Sequence, residues 1–480
     1  MRHHHPAVRG CYPVDEGLCA LHQRASLGNM PANWRRSKSV NPASRPRRQD
    51  PRRMKKRSLL GLVAAVPLVF LAGCGGSSEK EATVRLLNAS AGYSSVDLYV
   101  EDEKEIGAVG FGTLSDYVGV TSGDVTAEFT NAGSTTALLT KSLSLGTDDA
   151  YTVVTYGWEG AIKSVLITEN QDDADSGESS VSVLNTAVDA GALDIYLTGT
   201  DESLDSSTPV LSNVSGGSRS SFATVKAGTY RLRITGYGDT SDLRLDIAQA
   251  VVSSTGVYTF VLTPGSGGVL VNSLMLKQGG ALTQQLNTKA RARVVAGMAS
   301  GGKVTVKAGS TTLATAAASP AIKDYALIDA GTVTLTTSVD GTALTSTTQT
   351  IKAGSDTTLL VTGNSAADAT VKVLSDDNRL PTVSTKFKMR LVHAAPSLAS
   401  DALTLTLDLE DLVTDLTWGT SSSFVSRTGT SSSSLEVNSL SSTTPVFSVT
   451  EQAYLSNSIY TVFVYDTSAG VATAKVKKDR

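Results

Sequence analysis

The chain has 480 residues, of which 40% are hydrophobic, 18% charged and 5% aromatic, and its formal net charge is −3. The charge is unevenly divided: residues 1–53 carry a net +8, whereas residues 74–480 hold 28 Lys and Arg against 42 Asp and Glu, a net −14. Such an acidic body excludes nucleic acid as the main partner, because phosphate binding needs clustered basic residues. Beyond residue 53 the one histidine is His393, which excludes most histidine-based metal sites and triads.

An export signal lies over residues 54–73. A basic stretch at residues 55–57 precedes an apolar run, residues 58–71, that is too short for a transmembrane helix. The Leu-Ala-Gly-Cys sequence that ends at Cys74 resembles the lipobox of bacterial lipoproteins. The resemblance implies cleavage between Gly73 and Cys74, and acyl chains on Cys74 that anchor the protein in a membrane. The alternative is an ordinary signal peptide, or a membrane anchor with an incidental cysteine.

The residue after the cysteine is Gly75. In Gram-negative lipoproteins an aspartate at this position often marks retention in the inner membrane. The resemblance therefore implies anchoring in the outer membrane of a Gram-negative bacterium, with the chain facing the periplasm or the cell surface. Residues 74–81, rich in Gly, Ser and charged residues, are predicted to form a lipidated flexible tether.

Residues 1–53 are rich in arginine and proline and show neither helical nor strand periodicity. We interpret them as a mis-called start of translation or, alternatively, as a disordered basic extension. Removal of these residues and of the signal leaves Cys74 as the one cysteine, so a disulfide within the mature chain is excluded.

Beyond residue 82, short runs rich in Val, Leu, Thr and Tyr alternate with clusters of Gly, Ser, Asn and Asp. The stretch Tyr230-Arg231-Leu232-Arg233-Ile234 alternates strictly between apolar and charged residues, which is typical of a half-buried antiparallel strand. Long helical periodicity is missing. Short strands at regular spacing favour an all-β fold of sandwiches or barrels.

Three markers recur four times in the same order and predict four repeats of 97 to 111 residues. The markers are an opening strand, a turn glycine and a later strand, which begin at Arg85, Gly123 and Tyr151, at Val183, Gly228 and Tyr258, at Arg293, Gly331 and Thr357, and at Arg390, Gly429 and Tyr460. The size predicts a tandem array of four immunoglobulin-like antiparallel β-sandwiches. We place them at residues 82–170, 179–280, 290–378 and 386–480. Short linkers predict a semi-rigid string of beads.

The repeat openings resemble a known family. Residues 85–90 with residues 96–99, and residues 390–396, are similar to the domain of unknown function 4397, which occurs in bacterial exported and surface proteins, often in tandem. The third repeat lacks the Asn or His and the Asp-x-Tyr of the others, so its membership rests on spacing. The resemblance implies a β-sandwich fold and an exported location, and it implies no activity.

Few residues carry the pattern of an active site. No nucleophile elbow, zinc-protease motif or phosphate-binding loop occurs after residue 74, so we predict no catalytic residue and no cofactor. His393 takes the repeat position of Asn88 and Asn185, which favours a structural role at a strand end. Asp97 and Asp194 lie in alternating strands, and we expect them to point outward as solvated or turn-bonding side chains.

Two loop tryptophans, Trp158 and Trp418, are candidate ligand contacts, because exposed aromatic rings can stack on sugars. Lids that close the sandwich ends are the alternative that we favour. Four carboxylates at the joint between the first two repeats are weak calcium candidates: Asp172, Asp173, Asp175 and Glu178. A solvated linker is the simpler interpretation of that charge run.

These features together favour a non-enzymatic, membrane-anchored lipoprotein of the cell envelope that acts as a binding, adhesion or spacer module. Its partners would be the membrane, through acylated Cys74, and a protein or glycan at the cell envelope. The alternative is a glycan- or peptidoglycan-binding accessory lipoprotein, in which Trp158 or Trp418 contacts sugar. An envelope hydrolase is the more remote alternative.

Overall fold

A computed structural model describes residues 81–480 of the chain. The predicted signal over residues 54–73, Gly73, Cys74 and the tether before Glu81 lie outside the described residues, as do residues 1–53. Over the described range, helical structure is limited to four three-residue 3-10 turns, at Val188–Ala190, Leu204–Ser206, Ala299–Gly301 and Pro396–Leu398. None of residues 81–480 belongs to a helix long and apolar enough to cross a membrane.

Thirty-five strands form four successive sandwiches of two sheets each. The first contains β1 (Glu81–Asn88), β2 (Ser95–Val100), β3 (Glu103–Gly110), β4 (Val118–Thr121), β5 (Gly123–Asn131), β6 (Ala137–Leu145), β7 (Ala150–Tyr156) and β8 (Lys163–Thr168). The second contains β9 (Glu178–Asn185), β10 (Leu193–Thr198), β11 (Leu211–Val214), β12 (Ala223–Lys226), β13 (Gly228–Gly236), β14 (Asp239–Val252), β15 (Gly256–Pro264), β16 (Val271–Lys277) and β17 (Leu282–Gln285).

The third and fourth sandwiches follow the same order. The third contains β18 (Lys289–Met298), β19 (Lys303–Ala308), β20 (Thr311–Ala318), β21 (Ala321–Ile322), β22 (Ala326–Asp329), β23 (Gly331–Val339), β24 (Thr342–Ala343), β25 (Thr347–Ile351), β26 (Asp356–Gly363) and β27 (Thr370–Asp376). The fourth contains β28 (Lys386–His393), β29 (Leu403–Leu407), β30 (Glu410–Leu416), β31 (Val425–Thr428), β32 (Thr430–Ser439), β33 (Phe447–Tyr454), β34 (Ile459–Asp466) and β35 (Ala472–Lys478). The predicted all-β array of four sandwich repeats is confirmed.

All four sandwiches share one topology. The sheet that contains the opening strand, which we call the docking sheet, has the order β4-β1-β7-β8 in the first sandwich and β31-β28-β34-β35 in the fourth. The other sheet, which we call the outer sheet, has the orders β3-β2-β5-β6 and β30-β29-β32-β33. In every sandwich the opening strand pairs in parallel with a late strand, as β1 does with β7, whereas the other pairings are antiparallel. The purely antiparallel pairing that the sequence suggested is therefore wrong for these four strand pairs.

The two sheets bury their side chains differently. In the outer sheets, residues alternate between the sandwich core and solvent, as in β29, where Leu403, Leu405 and Leu407 are buried and the threonines between them are half-exposed. In the docking sheets, β15 and β26 are buried at every residue. Burial on both faces requires a second layer outside the sandwich, because each sandwich core covers only one face of its own docking sheet.

That second layer is the docking sheet of the neighbouring sandwich. One buried apolar cluster joins the first and second sandwiches through Leu87, Ala89, Val154, Tyr156, Ile167, Leu184, Val261, Leu274 and Leu276. A second cluster joins the third and fourth through Val295, Leu360, Leu374, Val392, Ala394 and Phe463. The chain is therefore two face-to-face pairs of sandwiches, and the expectation of a semi-rigid string of beads is wrong. Alternation of apolar and polar residues within a strand predicts the sandwich cores. The continuous apolar runs of the docking-sheet strands indicate, in addition, a second buried face.

The two pairs are themselves in contact, and residues 81–480 belong to one compact unit. The backbone N–H of Gly267 donates to the carbonyl oxygen of Gly354 at 2.7 Å, which joins the second sandwich to the third. A Cβ at Gly265 would lie 2.9 Å from the Cα of Gly354, so this close approach needs glycine. The guanidinium of Arg480 donates to carbonyl oxygens of Gly268 and Asn378, at 3.3 and 3.0 Å.

Candidate binding grooves between paired sandwiches

A polar group recurs at the centre of each docking sheet. It combines a cation or serine on the opening strand with a threonine on the parallel partner strand. An acid or amide at the end of the next strand and an aromatic residue just before the short edge strand complete it. The four sets are Arg85, Thr152, Glu169 and Tyr117; Ser182, Thr259, Gln278 and Phe222; Arg293, Thr358, Asp376 and Tyr325; and Arg390, Thr461, Asp479 and Phe424. The equivalence follows from strand register and supports the repeat assignment at the level of single side chains.

In the second pair these groups cross between sandwiches. Arg293 of the third sandwich pairs with Asp479 of the fourth at 2.5 Å, and Arg390 of the fourth pairs with Asp376 of the third. The four side chains are essentially inaccessible to solvent. Asp376 also accepts hydrogen bonds from the hydroxyls of Tyr325, at 2.5 Å, and Thr358, at 2.6 Å. Buried charges in this geometry are fully partnered, which makes the interface specific as well as apolar.

In the first pair, side chains at the equivalent positions join the two sandwiches through hydrogen bonds to backbone groups. Arg85 donates to the carbonyl oxygens of Lys277 and Gly280 in the second sandwich, at 3.0 and 2.5 Å, and pairs with Glu169 at 2.9 Å. Glu169 in turn accepts from the backbone N–H of Gly279 at 2.7 Å. Burial alone would raise the pKa of Glu169, but hydrogen bonds from Thr152, Tyr117 and Gly279 outweigh it and lower that pKa.

Each pair of sandwiches forms an open groove next to these polar side chains. In the second pair the groove has a volume of about 730 Å³ and lies between β27 and the loop before β31. Its lining includes Lys372, Lys388 and Arg390 together with Phe424 and the hydroxyls of the loop serines 421–423. Volumes of this size are typical of ligand clefts.

An equivalent groove of about 560 Å³ lies in the first pair, between the loop before β4 and the turn that joins β16 to β17. Arg85, Tyr117 and the loop residue Ser115 line it, as do the backbone of Gly279 and the side chain of Gln284. Ser115 and Ser422 make the same contact in both pairs, each accepting the N–H of the residue after the arginine, at 2.9 and 3.0 Å. The two grooves are thus copies of one structure.

Two regions of the sequence, residues 82–196 and 290–400, match the family described as Domain of unknown function (DUF4397). The chain carries tandem DUF4397 domains. Both matched regions begin at the first sandwich of a pair and end inside the second sandwich. Each match therefore includes the opening strands of two sandwiches that face each other, so the DUF4397 match and the docked pair coincide along the chain.

Two further comparisons complete these findings. No curated protein matches the sequence. Among solved structures, the chain is similar to CBMbc, a family CBM26 module from Eubacterium rectale Amy13K that was crystallised in complex with maltoheptaose, at 12% identity and a TM-score of 0.15. The similarity covers 41% of this chain and 96% of that one. At this TM-score it carries no argument about the fold or the ligand of the DUF4397 chain.

Trp158 lies at the meeting point of three sandwiches and is half-buried. Its indole N–H donates to Asp189 of the second sandwich at 2.6 Å, and the guanidinium of Arg379 lies 4.9 Å from its ring centroid. It also lines a small cleft of about 270 Å³ with Arg379 and Lys388. Burial raises the pKa of Asp189, although Trp158 and the charge of Arg480 oppose this effect.

Trp418 is half-buried next to Gly419, which lines the groove of the second pair. Its indole nitrogen is buried and, among the residues described, makes no hydrogen bond. The structure therefore does not bring Trp158 and Trp418 together in one groove. Their roles as ligand contacts stay predictions.

The four calcium candidates lie at the start of the second sandwich. Asp172, Asp173 and Asp175 are exposed in the linker, and Glu178 is half-buried at the first residue of β9. Over residues 81–480 no group of three or more His, Cys, Asp or Glu side chains is arranged to hold a metal ion. Calcium binding at this linker stays a prediction.

The repeated aspartates are buried, so the expectation that they point outward is wrong. Asp97 accepts the backbone N–H groups of Ala108 and Gly133 and pairs with Lys104. Asp194 likewise accepts the backbone N–H groups of Asn213 and Gly238. Ala108 and Asn213 both have positive φ, at β-bulges that fold the neighbouring strand over the carboxylate. These aspartates therefore hold turns, as the turn-bonding alternative expected, but they do so from buried positions.

His393 is also enclosed. Its Nε2 lies 3.2 Å from the carbonyl oxygen of Leu398, and burial lowers the pKa of its ring. Asn88 and Asn185, its repeat equivalents, donate to two carbonyl oxygens each within their own sandwiches. A common role in closing the loop after the opening strand accounts for all three residues.

The arginines at the centres of the docking sheets were not predicted from the sequence. Arg85, Arg293 and Arg390 stand at the start of three of the four repeat openings, so their signal was present in the markers. A long charged side chain in an otherwise apolar strand at the same repeat position indicates a buried, partnered cation. Their partners Glu169, Asp376 and Asp479 lie at the ends of strands and give no comparable signal.

Proposed function

We propose that this protein is a non-enzymatic lipoprotein of the bacterial cell envelope that binds polysaccharide in the two grooves between its paired sandwiches. The observation that carries the proposal is the duplication of one groove, with the same arginine, serine and aromatic positions, in both pairs. Serine and threonine hydroxyls and backbone groups match the hydroxyls of a sugar, and Tyr117 and Phe424 offer apolar area for its C–H face.

Two grooves on one compact frame suit a polymer with repeating units. Once one groove holds a chain, the second binds the same chain at a high effective concentration, which raises the overall affinity without any new contact. Close packing of the four sandwiches supports this role better than that of an extended spacer. Anchoring through acylated Cys74 in the outer membrane would keep the grooves at the envelope, and this part of the proposal rests on the lipobox resemblance.

Filling the grooves tests the binding site. Thr113 and Ser423 are exposed residues that line the first and second groove. We expect Thr113→Trp and Ser423→Trp each to weaken retention on the polysaccharide that the full chain binds, and the double variant to abolish it. Retention is measured by affinity electrophoresis against peptidoglycan fragments and a panel of soluble glycans.

Thr428→Trp is the matched control, because Thr428 is exposed on β31 outside both groove linings. It should bind as the unmodified chain does. Equal retention by the double variant and this control, or no retention on any glycan, would contradict the proposal.

The anchor is tested separately by the intact mass of the protein purified from its native membrane. We expect a mature chain that begins at Cys74 and carries two or three acyl chains. An N-terminus upstream of residue 54, or an unmodified Cys74, would overturn the lipoprotein part and leave the groove proposal standing.

A further inference from the structure

The two grooves share their construction but differ in charge. Thr83 of β1 and Lys388 of β28 are equivalent, because each lies two residues before the arginine of its opening strand. Leu274 of β16 and Lys372 of β27 are also equivalent, since each pairs with the second residue after the repeated threonine. The structure supports this match: Gly112 of the first groove lies against Leu274, and Gly419 of the second lies against Lys372.

The charged residues of the second groove leave a surplus of positive charge. Lys372, Lys388 and Arg390 line it with one carboxylate, that of Asp377. The first groove has Arg85 and Asp116, one of each sign. The chain beyond residue 73 carries a net charge of −14, so a positive groove stands out against an acidic body.

The partners of these cations show which charges are free. Arg390 is neutralised by Asp376, which lies behind the groove. Asp377 is shared between Lys388, at 3.0 Å, and Arg379, at 2.6 Å. Lys372 is exposed and forms no ion pair within residues 81–480. Lys372 therefore contributes a whole positive charge without a partner and Lys388 contributes half of one, about one and a half charges in all.

Keeping the ammonium group of Lys388 protonated costs more free energy than keeping that of Lys372 protonated, because Lys388 is buried. Only 10% of its side chain is accessible, and its Nζ lies 4.9 Å from the ring centroid of Phe424. Burial lowers the pKa of Lys388, although Asp377 opposes this effect. An anionic group in the groove would add the negative charge that Asp377, shared with Arg379, supplies only in part, in a site where partial exclusion of water strengthens the attraction.

We infer that the groove of the second pair binds the anionic groups of an acidic polysaccharide, with Lys372 and Lys388 as the residues that select for charge. The inference rests on the proposed function and names the ligand class of one of its two grooves. The first groove, whose charged lining residues are Arg85 and Asp116, would accept neutral sugar units. A carboxylated and a sulfated polysaccharide present the same anionic oxygens, so the test includes both.

The test measures binding of the full chain, purified in detergent, to polygalacturonate, dextran sulfate and neutral dextran by biolayer interferometry. Lys372→Leu and Lys388→Thr each install the residue found at the equivalent strand position of the first pair. Lys372 is exposed, so its replacement leaves the fold intact. Lys307→Leu, in the outer sheet of the third sandwich, removes one exposed lysine elsewhere and is the matched control.

We expect an anionic polymer to bind more tightly than dextran, with an affinity that falls as salt is added. We expect Lys372→Leu and Lys388→Thr each to weaken that binding about tenfold, whereas Lys307→Leu leaves it unchanged. Weaker binding of polygalacturonate by these variants would identify carboxylate as the preferred anion, and weaker binding of dextran sulfate would identify sulfate.

Three results would overturn the inference. Equal weakening by Lys372→Leu and Lys307→Leu would show a general charge effect without a site. Binding of dextran alone, blocked by Ser423→Trp, would refute the anionic ligand and leave the proposed function intact. Failure of every polymer to bind would instead remove the proposed function and this inference with it.

Discussion

Replacement of Asp376 by alanine should destabilise the second pair by about 3–5 kcal/mol, the cost of removing one partner from a buried ion pair. Asp376 accepts from Arg390, Tyr325 and Thr358 and lies 3.8 Å from Nε of Arg293. Its loss would leave the guanidinium of Arg390 almost inaccessible to solvent and without its carboxylate. The shift is measured by urea unfolding of the full chain, followed through the transition of the second pair.

A second variant separates the charge from the packing. Removing both charges in Asp376→Ala/Arg390→Met should recover part of the lost stability, because buried ion pairs can be replaced by apolar side chains at little cost. Asp376→Asn keeps an acceptor for Tyr325 and Thr358 and should fall between the parent and the alanine variant. A change below 1 kcal/mol in Asp376→Ala would show that the crossed ion pairs do not hold the sandwiches together.

Local sequence patterns predicted the all-β fold and its four repeats because each sandwich repeats the same strand order. Strict alternation in a stretch such as Tyr230-Arg231-Leu232-Arg233-Ile234 reflects a sheet with one face on a core. Parallel pairing of β1 with β7 joins residues more than 60 positions apart, as Arg85 with Thr152. Short-range periodicity contains no information on that pairing.

Docking of the sandwiches escaped prediction for a different reason. Runs such as Val261-Leu262 and Leu359-Leu360-Val361 show that both faces of β15 and β26 are apolar, yet a run of this kind does not say what covers the second face. The short linkers were equally compatible with a string of beads. The residues that join the pairs, among them Gln278 and Asp479, stand at strand ends where no periodicity marks them.

The candidate site was predicted only in outline. Trp158 and Trp418 were identified because they were predicted to lie in loops, where an exposed aromatic ring can stack on a sugar. The groove residues are instead common lysines, serines and a phenylalanine, and register between two distant sandwiches brings them together. A comparison of equivalent positions, such as Thr83 with Lys388, becomes possible only when the strand pairings are known.

Replacement of Phe463 by alanine tests the docked pairs most directly. Phe463 is fully buried, although it lies on the face of β34 that points away from the core of its own sandwich and into the cluster shared with the third. Because docking buries the ring, its loss should cost about 3–5 kcal/mol. For a pair of about 200 residues, this corresponds to a fall of roughly 10 °C in the unfolding midpoint of that pair, measured by differential scanning calorimetry.

Phe111→Ala is the control, because Phe111 is 40% exposed and belongs to neither docking cluster, so its replacement should move the midpoint far less. A string of separate sandwiches would leave Phe463 on a solvated sheet face, where truncation changes stability by no more than about 0.5 kcal/mol. A large fall in the midpoint for Phe463→Ala alone is the result that the docked pairs predict. Equal and small shifts for both variants would contradict the paired architecture and the grooves that depend on it.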